Sequence, residues 1–339
     1  MFCGADDWPD VEAFGERRES WLRKFLKLPN GIPSHDTFRR LFESLNRKEF
    51  ATCLFEWTPA LQKASKDKVI AIDGKALRAS GNRKRGINSL HLVTAWATET
   101  GLTIGQIACE DKSNEITAIP ELLELLDIEG ATVTLDAMGC RRGIAEQIRS
   151  HKGNYLLGLK GNQSGLLEEM QTLFEHGINT DFEGMQKTEY SPSETGHGRK
   201  ECRMCVALSI PQDHPQRARW KDLKTVVAMT TERVVGEKET WETRYSISNL
   251  PASAKHLAKA IRHHGSIENS QHWILDVTFQ EDRRRPANRN GAANLAAVRR
   301  LTVSVLRQEK TNKRGIKNKR FACALDTSYL MRCLKTAKI

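Results

Sequence analysis

The order of apolar runs between residues 68 and 160 constrains this chain more than any other feature. Val69 to Ile72 are four consecutive apolar residues, the pattern of a strand covered on both faces. That run ends abruptly in Asp73, Gly74 and Lys75. Residues 90–110, LHLVTAWATETGLTIGQIACE, predict two alternating strands joined by a turn at Glu99 to Gly101. KSNEITAIPELLELLD then predicts a helix, ATVTLDAMG a strand, RRGIAEQIRSHK a helix and NYLLGLK a strand. The order is β-β-β-α-β-α-β, a hairpin start that passes into parallel crossovers.

In the ribonuclease H-like fold, strands in this order are arranged 3-2-1-4-5. The predicted fold class is therefore α/β, a ribonuclease H-like mixed sheet with flanking helices, and its first and fourth strands are parallel neighbours. Ligands of open α/β sheets bind outside the carboxyl ends of strands where the connection direction reverses. The first strand ends at Asp73 and the fourth, TVTLD, at Asp136, each just before a small residue. Neighbouring strands lie about 4.8 Å apart, and two carboxylates that close repel unless a cation sits between them. Two unrelated turn-capping aspartates are the bland alternative. The sharper reading is a divalent metal site, whose oxygen ligands favour Mg²⁺ with Mn²⁺ as a substitute.

Charge points to the partner. The 339 residues carry a formal net charge of +11, which suits a polyanion, nucleic acid first. Nine Lys or Arg stand against one Glu between Arg299 and Arg320, and EDRRRPANR (281–289) adds a second knot. No run approaches 18 uncharged apolar residues, which excludes a transmembrane helix. The acidic start, MFCGADDWPD, lacks the charged and apolar regions of a signal peptide, so a cytoplasmic, nucleoid-associated protein is expected. Eight cysteines are scattered, and only Cys202 and Cys205 form a C-x2-C pair, within a stretch that reads as a strand. Reduced thiols are expected rather than a zinc site.

Five segments are expected. Residues 1–62 form an N-terminal helical region in which Ser34 caps a second helix, two helices across a tight turn resembling a helix-turn-helix with Arg39 and Arg40 facing out. Residues 63–180 are the first part of the core and 181–248 a β-rich insertion of short strands. Residues 249–300 complete the core, with Ser266 expected to cap the last helix and place Glu268 in its first turn, where the helix dipole alone would favour a Glu. Residues 301–339 form a basic helical tail.

Six stretches in order, VIAIDGKALRAS, DKSNEITAIPELL, VTLDAMGCRRGIAEQI, YLLGLKGNQ, GHGRKECR and IRHHGSIENSQHWILDVTFQED, resemble the ISAs1-type insertion-sequence transposases. That group includes the H-repeat-associated proteins and is akin to the IS4-like DDE transposases. The resemblance runs through nearly the whole chain. It implies a DDE triad of Asp73, Asp136 and Glu268, with Arg262 similar to the family's basic residue on the last segment. It also implies two Mg²⁺ ions, double-stranded DNA (terminal inverted repeats and target) as substrate, and a homodimer on DNA. Lys75, Arg78, Lys160 and Asn162 would meet phosphate from the sheet edge, with Lys112 a weaker candidate. His197 and Arg199 of the GHGR turn would reach DNA from the insertion. Trp241 could stack on a flipped base, though a packed core tryptophan is the expected reading. The chain departs from the family in two respects. Members carry an additional N-terminal stretch, so this region reads as shortened, and Gly265 stands where they typically have Trp.

Two other classes compete. A decayed element would bind DNA with steep salt dependence and never cut it. A repair or resolving nuclease would share the acids without needing the insertion or the N-terminal helices.

Overall fold

The computed structural model describes residues 1–56, 69–81, 86–109, 115–196, 199–236, 238–283 and 288–336. In chain order its helices are α1 (Trp8–Arg17), α2 (Glu19–Leu22), α3 (His35–Ser44), α4 (Arg47–Phe55), α5 (Glu115–Glu124), α6 (Arg142–Ser150), α7 (Ser164–Asn179), α8 (Pro215–Arg219), α9 (Ala254–Ile267), α10 (Trp273–Val277), α11 (Arg289–Gln308), α12 (Ile316–Leu325) and α13 (Thr327–Thr336). The strands are β1 (Val69–Leu77), β2 (Leu90–Ala97), β3 (Leu102–Ala108), β4 (Thr132–Leu135), β5 (Asn154–Leu159), β6 (Lys187–Tyr190), β7 (Ser193–Gly196), β8 (Arg199–Ser209), β9 (Thr225–Val235) and β10 (Lys238–Ser248). The chain divides into a sheet unit, residues 67–73 and 119–266, and a helical unit, residues 1–66, 74–118 and 267–339.

In the sheet unit, β1 pairs parallel with β4 from Val69↔Thr132 to Ile72↔Leu135, and β4 pairs parallel with β5. Both crossovers follow from apolar strands that need cover on two faces; α6, for one, buries Ile144, Ala145 and Ile148. Strand β10 then adds antiparallel to β5, followed by β9, β8 and β6, with β7 on β8. The predicted insertion therefore extends the sheet, and three of its strands run eleven residues each. Sequence made them look short because polar residues interrupt each of them. In β9, Thr225 to Met229 are buried, whereas Thr230 to Val234 are half-buried or exposed. Helix α9 covers this sheet with Ala254, Leu257, Ala258 and Ala260 against Leu156, Val227 and Met229.

β1 contributes its first half to the sheet unit and its second half to the helical unit. Read through it, the strand order is β3-β2-β1-β4-β5, the ribonuclease H-like arrangement that the sequence predicts. The hairpin β2–β3 turns at Gly101, whose φ of +66° needs glycine. Its strands are buried along almost their whole length instead of alternating. Helix α11 explains this. Its small residues Ala292, Ala293 and Ala296 pack on Leu90 and Leu92, and it bonds two polar groups of the hairpin. Gln106 Nε2 donates to the Ala293 carbonyl at 3.2 Å, and the Thr103 amide donates to Ser304 Oγ at 3.0 Å.

Ser34 does cap α3, accepting from the Thr37 amide. The tight turn of a helix-turn-helix is not formed, however. Residues 23–34 separate α2 from α3, far more than the usual turn of about 3–4 residues. Arg39 is committed to Asp36 and Glu43 on its own helix, at 3.1 and 3.2 Å, while Arg40 is exposed.

The basic C-terminal run also differs from expectation. Of its nine cations, Arg299, Arg300, Lys319 and Arg320 are buried. A buried charge needs a partner, and each has one. Arg300 lies 3.1 Å and Arg299 3.7 Å from Glu281, Arg320 pairs with Asp6, and Lys319 donates to the carbonyls of Leu306 and Glu309. Lys310, Lys313, Arg314 and Lys317 remain exposed. Much of the basic tail is core rather than solvated face.

Candidate active site

Asp136 directly follows the end of β4, but Asp73, expected to end the first strand, lies in the middle of β1, which runs on to Leu77. Ile72 and Leu135 are the last register partners of β1 and β4, so Asp73 and Asp136 stand at the same level, one residue past that pairing. Asp73 is half-buried and Asp136 exposed. Asp136 also caps the 3-10 turn Ala137–Gly139: its Oδ1 accepts from the amides of Met138 at 2.9 Å and Gly139 at 3.4 Å. The capping reading and the site reading thus coexist, since the cap fixes one oxygen and orients the carboxylate. The turn itself is braced from the end of β5. Asn162 Nδ2 donates to the Ala137 carbonyl at 2.7 Å and Gln163 Nε2 to the Cys140 carbonyl at 2.9 Å. Asn162 therefore shapes the aspartate turn, a role its sequence context did not suggest. Behind β4, Thr134 Oγ1 meets His264 Nδ1 of α9 at 3.0 Å.

Glu268 belongs to the helical unit. The predicted helix start at Ser266 does not occur, because α9 runs through it to Ile267. Ser266 Oγ instead donates back to the His263 carbonyl at 2.6 Å, the intrahelical bond open to serine. Residues Glu268–His272 form a π-helical turn that continues into α10. Such a bulge rotates the following side chains and is frequent at functional sites. Glu268 is exposed at its head, whereas His272 is deeply placed. Burial, then the charges of Arg300 and Lys75, hold the His272 pKa down at about 3, so its imidazole is neutral at any working pH.

Lys75 and Arg78, expected at phosphate, face acids of their own unit. Lys75 Nζ lies 2.8 Å from Asp276 and 3.7 Å from Asp282, and Arg78 Nε lies 3.5 Å from Asp282. Gly74 allows a close approach, but of a neighbouring side chain: a Cβ there would meet the carboxylate of Glu115, which would have to move aside. Glu115 opens α5 and sits 3.5 Å from His91 Nδ1. Sequence reading passed over it, and only its place within DKSNEIT marked it.

Lys160 is exposed at the end of β5 and Arg262 is exposed on α9. Arg199 opens β8, paired with Gly196. Lys112 and His197 lie outside the described residues. Trp241 is 63% exposed rather than packed, its indole N–H donating to Glu239 at 2.9 Å. Cys202 and Cys205 are free thiols on one strand at odd spacing, pointing to opposite faces.

Among the described residues, no three His, Cys, Asp or Glu side chains stand grouped as a ready metal cage. The Asp73 and Asp136 carboxylates nevertheless suit a hard divalent cation, being oxygen donors on neighbouring strands with one oxygen of Asp136 already oriented. Among those residues no helix is long and apolar enough to cross a membrane.

Comparison with known proteins adds a second line. The family described as Transposase DDE domain matches residues 64–306, and a DDE-associated family matches residues 1–58. YncI of Escherichia coli O157:H7, named as a candidate transposase, is 37% identical over 334 residues, covering 97% of this chain and 85% of that protein. YhhI of Escherichia coli K12, named as an H repeat-associated candidate transposase, is 36% identical over 335 residues, covering 97% and 88%. A solved piggyBac transposase synaptic complex with hairpin DNA aligns over 93% of this chain and 68% of that chain, at 12% identity and a TM-score of 0.41.

Proposed function

The chain belongs to the DDE transposase family, and from that premise we propose that it cuts and joins DNA at the ends of an insertion sequence with divalent metal ions, Mg²⁺ or in its place Mn²⁺. The observation that carries this reading is the register of β1 and β4, which sets Asp73 and Asp136 at the same level one residue past their last paired positions. Asp73, Asp136 and Glu268 are the proposed ligands and catalytic acids. These three carboxylates would hold the ions, and the chemistry supplied there would be activation of the attacking hydroxyl and stabilisation of the leaving oxygen of an in-line displacement. The chain's own contribution is orientation. The 3-10 turn fixes the carboxylate of Asp136, Asn162 braces that turn, and the middle of β1 carries Asp73. Arg262 and Lys160, exposed in the sheet unit, and Arg40 and the exposed tail cations of the helical unit are the proposed phosphate contacts. Double-stranded DNA carrying the element's inverted repeats is the proposed substrate, with a homodimer as the working unit.

The test is strand cleavage on DNA carrying the inverted repeats that flank the gene. Nicking at the repeat ends is expected with Mg²⁺ and none with excess EDTA. Binding that weakens with salt by about 0.9 log units per phosphate contact, with no cleavage under any metal, would instead identify a remnant that only binds DNA.

A further inference from the structure

Lys75 raises a question that the proposed chemistry does not answer. It follows Asp73 by two residues on β1, so strand alternation puts both side chains on one face, about 6.6 Å apart along the strand. A lysine there invites assignment to phosphate. Its environment argues otherwise. The side chain is only 9% exposed, and its ammonium straddles both carboxylate oxygens of Asp276, at 2.8 Å from Oδ1 and 2.9 Å from Oδ2. Asp282 is 3.7 Å away and is itself clasped by Arg78, whose amide donates to it at 3.3 Å. Two carboxylates already surround one nearly buried ammonium, which leaves little positive field for a DNA phosphate.

The partners are also placed with meaning. Asp276 sits on α10, directly beyond the π-helical turn whose first residue is Glu268. Asp282 follows in the 3-10 turn Glu281–Arg283. A π turn is a rare, single-turn interruption of a helix that is frequent at functional sites. The ion pair joins the segment after it to the second half of β1.

We infer that Lys75 is a positioning residue: its ion pairs with Asp276 and Asp282 pin the π-helical segment bearing Glu268 to the second half of β1. The inference rests on the proposed role of Glu268, but its structural half is measurable without catalysis. The pair acts through geometry, and a displacement of about 1 Å in a reacting group can cost about 10²-fold in rate.

The experiment compares the full-length wild type with Lys75→Met and with Asp276→Asn, which keeps shape while removing charge. Hydrogen exchange read by mass spectrometry over peptides covering residues 267–277 should speed up about tenfold in both variants, with exchange elsewhere unchanged, as for a local opening. Unchanged exchange in that segment would overturn the inference whatever the activity. On repeat-end DNA, both variants should cut about 100-fold more slowly while DNA affinity and its salt slope stay at the wild-type values. A Lys75→Met protein whose salt slope drops by about one and whose bound complex cuts at the normal rate, beside a normal Asp276→Asn, would show a phosphate contact and overturn the inference. A wild type that never cuts defeats the proposed function instead, and the exchange result then decides Lys75 alone.

Discussion

Asp136→Asn is expected to lower strand cleavage by about 10²–10⁴-fold, the loss of several kcal/mol of transition-state charge stabilisation by a metal ligand. The substitution isolates charge from structure. Asparagine is as good an N-cap as aspartate, so its side-chain oxygen can still accept from the Met138 and Gly139 amides and preserve the 3-10 turn. Melting temperature and DNA affinity should therefore stay near the wild-type values while cleavage collapses. Asp73→Asn and Glu268→Gln should behave alike. If Asp136→Asn cuts DNA at the wild-type rate, the residue is a turn cap and nothing more, and the acid assignment fails.

The second large effect concerns stability. Glu281→Ala should destabilise the folded chain by about 3–5 kcal/mol, the usual cost of breaking a buried ion pair by removing one partner. Glu281 and Arg300 side chains are 1% and 0% exposed, and Arg299 also lies within reach of the same carboxylate. Losing it leaves the Arg300 charge buried and uncompensated against its own helix. Urea denaturation of the variant beside the wild type measures the difference. Replacing Glu281 and Arg300 together by leucine and methionine should recover most of the loss, because a well-packed apolar pair avoids the desolvation penalty altogether. A single variant within about 1 kcal/mol of wild type, the range of exposed pairs, would show that solvent reaches this cluster.

This cluster also marks the limit of what the sequence reveals. The strand order was legible because VIAI is an unbroken apolar run and TVTL sets Val and Leu between β-favouring threonines, each directly before an aspartate. The basic run from Arg299 to Arg320 was legible only as charge. Its partners lie at Asp6 and Glu281, the first 314 residues from Arg320, and nothing local distinguishes a cation that finds such a partner from one left in solvent. Lys75 is the same case, since Asp276 stands 201 residues on. Ser266 misled for a different reason. Serine caps helix starts, but inside a helix it also bonds back to a carbonyl, and the sequence does not say which. The extent of β9 and β10 was hidden because polar residues carry a strand past the core whenever a neighbour supplies its backbone partners, as the eleven paired positions between them do.

The central claim is that Asp73, Asp136 and Glu268 hold the same metal. It is tested most directly by replacing Mg²⁺ with Fe²⁺, adding ascorbate and peroxide, and mapping where hydroxyl radicals generated at the bound iron cut the protein's own backbone. The account predicts cuts clustered in three places, at residues 73, 136 and 268, which excess Mg²⁺ suppresses together. Cuts beside 73 and 136 with none at 268, or a pattern indifferent to Mg²⁺, would contradict it.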